Sequence, residues 1–166
     1  MDYAEIRNAI VSGLHQYLQK PVVPTDTTQP KPPYPFVSYK FTTLYRPDAP
    51  VLIRSPVPST DPDFEQDIEY TLREQPQMVL SLSTYSLDEA EAYNLALQVQ
   101  AWFKLHGYRY LKELNLIVVN TTALQDRSVL LIDNFEKRVG LDVTLRTLSE
   151  QKDRIETIEK IRVKEV

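Results

Sequence analysis

The feature that most constrains this chain is a proline-rich stretch that runs directly into an alternating segment, over residues 30–43. Four prolines stiffen the backbone there and donate no ladder hydrogen bonds: Pro30, Pro32, Pro33 and Pro35. From Phe36 onward apolar and polar residues alternate, which predicts a half-buried strand with a rigid lead-in. A strand start specified this tightly, in a chain with few chemically reactive residues, is typical of a structural protein.

The charge balance argues against direct binding of nucleic acid. The chain of 166 residues carries a net charge of −4 and has no run of Lys or Arg longer than two, so no basic surplus is available to neutralise phosphates.

Cysteine is absent, which excludes disulfides and thiolate chemistry. The acidic, amphipathic N-terminus is unlike a signal peptide, and no apolar run approaches the ~18 residues of a membrane helix. We therefore expect no membrane segment. A length of 166 residues is most simply a single domain over residues 1–166.

Two amphipathic helices are predicted, one over residues 3–19 with Asp2 as N-cap and one over 87–106. The second begins at a capping box over 86–89 and is expected to end at Gly107. Strands are predicted over 36–45, over 67–85 as one long strand or a pair bent at Pro76, and over 116–119, 129–132 and 139–145. This order predicts an α+β fold, with the two helices packed on one face of a mainly antiparallel sheet.

The predicted core lies between the second helix and the strand over 139–145. We expect burial of Trp102, Leu95 and Val99, with Leu141 and Val143 facing them.

A long proline-rich loop is predicted over residues 46–66, and it contains an apolar set at Val51, Leu52 and Ile53, followed by Arg54. One interpretation is that this set folds back on its own domain, and the other is that it docks on a neighbouring subunit. Loops of this length are usually functional or disordered. The mixed-charge tail over 150–166 alternates apolar and basic residues near its end, so it is a candidate extra strand. The candidate subunit or partner contacts are therefore Val51, Leu52, Ile53, Arg54, Ile161 and Val163.

The sequence offers little catalytic chemistry. His15 and His106 are the only histidines, and neither has a neighbour at metal-ligand spacing. Three glycines provide no phosphate-binding loop. The acidic cluster at Asp61, Asp63, Glu65 and Asp67 lacks the glycine and terminal glutamate of a calcium loop, so it is interpreted as a solvated loop. We expect no cofactor, no metal and no enzymatic activity.

Several blocks, in order along most of the chain, resemble the neck or tail terminator proteins of bacteriophages. These are the helix at 6–14, the block at 31–39, the helix from 86–93 through Trp102 and Phe103, the strand at 138–145 and the segment 157–161.

The resemblance implies a structural virion protein that assembles in the bacterial host cytoplasm. Its subunits would form a homo-oligomeric ring, expected to be hexameric, at the head-proximal end of the tail tube. The ring would stop tube polymerisation, bind the tail tube protein and the head connector, and let DNA pass through its lumen without specific binding. The alternatives are a head-completion or connector protein of the neck, and a cytoplasmic protein-binding adaptor without catalysis.

Overall fold

The computed structural model describes residues 2–62, 64–130 and 135–156 of the chain. It divides into two compact units. The first comprises Met1–Arg46 and Pro76–Thr147, and the second comprises Pro47–Gln75 and the chain from Leu148 onward. The prediction of one domain over 1–166 stays a prediction.

The fold is α+β, as predicted, and the sheets are mostly antiparallel. The helical segments are α1 (Tyr3–Leu18), α2 (Glu89–Ala101), a π-helix (Trp102–His106) and α3 (Tyr108–Glu113). The strands are β1 (Val22–Pro24), β2 (Phe36–Arg46), β3 (Val51–Pro58), β4 (Gln66–Glu74), β5 (Gln77–Ser86), β6 (Leu116–Thr121), β7 (Gln125–Asp126), β8 (Val129–Leu130), β9 (Phe135–Thr147) and β10 (Ser149–Glu156).

The helices α1 and α2 begin at side-chain caps. The Asp2 carboxylate accepts a hydrogen bond from the Ala4 backbone N–H at 2.7 Å, which confirms the predicted cap of α1. The cap of α2 is Asp88, which accepts from the Glu91 N–H at 2.8 Å, so the capping box predicted at 86–89 was placed two residues early.

The prediction of only two helices was incomplete because Gly107 does not end the helical structure. Its φ of −85° is helical, and α3 begins at the next residue. This glycine provides space instead: a methyl group placed on it would lie 2.6 Å from Cε2 of Trp102.

The first unit contains a seven-stranded sheet with the order β1-β2-β5-β9-β6, and β7 and β8 also pair with β9. The short strand β1 pairs with β2 in parallel, and the other pairs are antiparallel. Leu80 pairs with Val143 and Leu82 with Leu141 across the two central strands.

The core of the first unit joins the helices to these central strands. One hydrophobic cluster contains buried residues of α1 and α2 together with those of β5 and β9. The five residues predicted for the core are all buried in this cluster: Leu95, Val99, Trp102, Leu141 and Val143.

The second unit is a three-stranded antiparallel sheet with the order β10-β4-β3. The prediction of a loop over 46–66 was therefore wrong for residues 51–58, which form β3. Pro56 and Pro58 made this strand look like a loop in the sequence. Among the described strands β3 pairs with β4 alone and so lies at the edge of the sheet, where proline is tolerated. The segment over 67–85 is two strands in different sheets, which separate near Pro76.

The start of the tail forms β10, whereas the extra strand expected near the end of the tail stays a prediction. The alternating part that suggested it, with Ile161 and Val163, lies outside the described residues.

Candidate interaction surfaces

The four candidate residues of β3 lie on two opposite faces of the three-stranded sheet, because successive side chains of a strand alternate. Leu52 and Arg54 are in register with Leu72 and Tyr70 of β4 and share their face. Val51 and Ile53 point to the other face. The structure therefore divides a set that the sequence treated as one unit.

One face of this sheet carries an apolar set on all three strands, with Gln151 and Asp153 of β10 beside it, in register with Leu72 and Tyr70. Its central feature is a groove of about 410 Å³. Leu52 and Ile155 are each 52% exposed, so none of the residues that the structure describes covers these two positions fully. Arg54 also lies on this face, with its guanidinium carbon 5.2 Å from the centre of the Tyr70 ring. We define the apolar sheet face by Leu52, Ile68, Tyr70, Leu72 and Ile155.

The opposite face carries ion pairs that connect β4 to β10. Nε of Arg73 lies 2.6 Å from Oε1 of Glu150, and Nζ of Lys152 lies 2.8 Å from Oε1 of Glu69. The hydrogen bond to Glu69 and the nearby negative charge raise the pKa of Lys152. We call this opposite face the charged face; it also carries Val51 and Ile53 on β3.

A third pair on the charged face involves a buried carboxylate. Asp67 is only 1% exposed, and its Oδ2 lies 3.6 Å from Nε of Arg154. The interpretation of the acidic cluster as solvated is therefore wrong for Asp67, which belongs to β4.

The first unit also exposes apolar residues, along the outer side of α2 and the π-helix. Tyr93, Leu97 and Leu105 are 49%, 42% and 69% exposed and follow one another at four- and eight-residue spacing. We call these three residues the helix stripe. The opposite side of α2 is apolar and buried, through Leu95 and Val99 among others. The exposed side of α2 therefore carries large apolar side chains among polar ones such as Asn94 and Gln98.

An acidic groove of about 530 Å³ adjoins the helix stripe and shares Tyr93 with it. Asp88, Glu89 and Asp126 supply carboxylates to its lining. Hydrogen bonds from the side chain and backbone of Ser128 lower the pKa of Asp126, which keeps this carboxylate charged. Apolar side chains of Leu124 and Val139 line the groove beside these charges, so it suits the aliphatic stem and charged head of a basic side chain.

The proline-rich lead-in that stands out in the sequence is held by an aromatic and ionic cluster. Phe36 stacks on Tyr85 with ring centres 4.6 Å apart and an interplanar angle of 4°. Lys31 pairs with the buried Glu136, and the Tyr34 hydroxyl donates to the same carboxylate. The peptide bond between Tyr34 and Pro35 is cis. These contacts fix the lead-in within the first unit.

Both histidines contact other residues of the first unit. Nδ1 of His15 lies 2.8 Å from the Lys20 carbonyl oxygen, and the His106 ring stacks on Tyr17 with centres 4.9 Å apart. Among the described residues no group of three or more His, Cys, Asp or Glu side chains is arranged to hold a metal ion. Nor does any described helix have the length and apolar character needed to cross a membrane.

Sequence reasoning missed the helix stripe and the acidic groove. Tyr93 and Leu97 were visible as an i, i+4 pair on the outer side of a capped helix, which was the available signal. The groove gave no such signal, because Asp126 and Asp88 come from distant parts of the chain.

Comparison with known proteins completes the description. A search of the curated proteins gave no match to this chain. The family model for phage neck terminator proteins matches residues 8–166, nearly the whole length. That family is a structural kind of protein, found in the neck of the virion. The chain therefore belongs to the phage neck terminator family.

Proposed function

We propose that this chain forms a ring at the head-proximal end of the phage tail tube, where it stops tube polymerisation and joins the tail to the head connector. The observation that carries this proposal is the family match over residues 8–166. A terminator acts where a polymer ends, so its natural partners are the tail tube protein on one side and head connector or completion proteins on the other. We propose a hexameric ring that assembles in the bacterial host cytoplasm.

The surfaces of the described chain support assembly over a solitary role. The apolar sheet face and the helix stripe both expose large apolar side chains to solvent. Contiguous apolar surface on a folded chain generally marks a protein–protein contact. The net charge of −4 supports a lumen through which DNA passes without being held.

The candidate contacts Val51, Leu52, Ile53 and Arg54 remain part of this proposal, with Leu52 and Arg54 on the apolar side of the sheet. Ile161 and Val163 of the tail are proposed alongside them as contact residues.

Deletion of the gene in the phage that encodes this chain tests the function. We expect tails longer than those of the parent phage, and tails without heads, because nothing would stop the tube or join it. Tail lengths are measured by negative-stain electron microscopy, and the control supplies the intact gene from a plasmid. Tails of normal length that lack heads would instead indicate a head-completion protein, and normal virions would contradict both roles.

A further inference from the structure

The apolar sheet face has no covering layer among the described residues of the second unit. The described residues of that unit form strands and turns but no helix. A sheet is stable when a second layer of helices or strands covers its apolar face. Leu52 and Ile155, on the two outer strands, are each 52% exposed. The opposite face carries ion pairs between β4 and β10, and its apolar residues Val51 and Ile53 lie on β3 alone, whereas the apolar sheet face has apolar residues on all three strands.

The helix stripe is also an exposed apolar surface without a packing partner among the described residues. The core of the first unit covers one side of α2 and leaves the large apolar side chains of the helix stripe exposed on the other. Leu105 is 69% exposed and Tyr93 49% exposed. A helix and a sheet face are each other's usual partners in layered folds.

Charge gives the pairing an orientation. Arg54 is cationic and exposed at the β3 edge of the apolar sheet face, and Asp153 lies on the same face at the β10 edge. Beside the helix stripe, the acidic groove presents Asp88, Glu89 and Asp126. Lys137 also lines the groove and lies 3.7 Å from Glu89, which leaves the groove with a negative balance. Opposite charges on two facing surfaces fix register and exclude wrong partners.

We propose that the apolar sheet face of one copy packs on the helix stripe of the next copy, with Arg54 directed to the acidic groove. This inference rests on the proposed ring. A ring needs a heterologous contact between two different surfaces of the same chain. The apolar sheet face and the helix stripe are two such surfaces, they belong to different parts of the chain, and both are exposed in a single copy. The occupant of each surface is therefore a second copy of this chain.

Engineered cysteines test the pairing cleanly, because the chain has no cysteine of its own. The double variant Leu52→Cys/Leu97→Cys is treated with a short bismaleimide, both as purified protein and on isolated tails. We expect a ladder of cross-linked species on a denaturing gel, since each copy would link to two neighbours. Each single variant should give no ladder.

The matched control is Val51→Cys/Leu97→Cys. Val51 is on the same strand and is 57% exposed, but it points to the opposite face of the sheet. We expect its cross-linking yield to fall several-fold below that of the Leu52 variant. Equal yields from the two variants would overturn the proposal.

Charge reversal provides a second test that does not depend on the linker. Arg54→Glu in the Leu52→Cys/Leu97→Cys background should lower the ladder several-fold. Adding Asp126→Arg should restore it, because the pair is then reversed. Loss without restoration would mean that Arg54 does not meet this groove.

Other arrangements give different products. Strong dimers from Leu52→Cys alone would indicate that two sheet faces pair with each other, and strong dimers from Leu97→Cys alone would indicate a helix-to-helix contact. Either result overturns the proposal, as does the absence of any ladder on isolated tails. If the gene deletion gives overlong tails but no ladder forms, the pairing fails while the proposed function stands. If a ladder forms but deletion of the gene leaves tails of normal length, the pairing stands while the proposed function fails.

Discussion

At the scale of single residues, Trp102 explains two of the three glycines. Its indole lies against Gly13 of α1 and Gly107 before α3, where added methyl groups would meet ring atoms at 2.7 Å and 2.6 Å. Neither glycine has a positive φ, so each is required by the approach of the ring and not by its backbone conformation. The burial of Trp102 was predicted from the helical pattern, but the glycines that make room for it were not, because close packing across elements leaves no local pattern.

Gly13→Ala should therefore destabilise the protein, although alanine in a helix interior is normally favoured over glycine by about 1 kcal/mol. The added methyl would lie 2.7 Å from Cζ2 of Trp102 and 3.0 Å from Cε1 of Tyr110. Overpacking of this kind typically costs ~1–3 kcal/mol, which leaves a net loss of up to ~2 kcal/mol. Urea denaturation followed by the fluorescence of the single tryptophan measures it.

Ser12→Ala is the matched control for that substitution. Ser12 is the preceding residue of α1 and is exposed, so the new alanine gains helix propensity without a clash. We expect its free energy of unfolding to be unchanged or slightly raised. A gain of stability in Gly13→Ala like that of the control would contradict the packing described for Trp102.

At the scale of elements, the sequence predicted the segments whose pattern is local. Three elements were predicted from such patterns, and all three are present: α1 from its cap and apolar stripe, β2 from its alternation, and β9 from its strict alternation. The strand β3 could not be predicted from its sequence, because Pro56 and Pro58 indicate a loop. Prolines fit a strand only at the edge of a sheet, and the sequence does not show that β3 lies at an edge. Its partner β4 pairs on its other side with β10, which lies far along the chain, and no local pattern records such pairing.

Two ion pairs of the charged face should differ in strength although they share strand β10. Lys152 pairs with Glu69 at the surface, and its side chain is 58% exposed. Arg154 pairs with Asp67, which is 1% exposed, and its Nη2 also donates to the Pro58 carbonyl at 3.1 Å. Removing the cation beside a buried carboxylate costs more than removing an exposed one.

We therefore expect Arg154→Met to destabilise the sheet by ~1–3 kcal/mol and Lys152→Met by no more than ~1 kcal/mol. Hydrogen exchange of the β4 and β10 amides, followed by NMR, reports the local effect. Each variant serves as the control for the other, since both remove one basic side chain from the same strand. Equal losses of protection would contradict the assignment of Asp67 as the carboxylate that depends most on its cation.

At the scale of the whole molecule, the family could be predicted from the sequence because its blocks occur in order along the chain. The family match over residues 8–166 confirms that prediction. The α+β class followed from the order of helical and alternating segments. The division into two compact units was not predicted, since it arises from the pairing of β3, β4 and β10. The candidate surfaces were found only in part for the same reason: Leu52 and Arg54 stood out in the sequence, whereas the face they share with Tyr70 and Leu72 required the sheet register.

The central claim is that copies of this chain close a ring at the head-proximal end of the tail. Electron cryo-microscopy of isolated tails, reconstructed without imposed symmetry, tests it most directly. We expect six copies of this chain in a closed ring on the last layer of the tail tube, with the sheet face of each copy against α2 of the next. A tail end at which this chain is absent, or is present as copies that do not contact one another, would contradict the account.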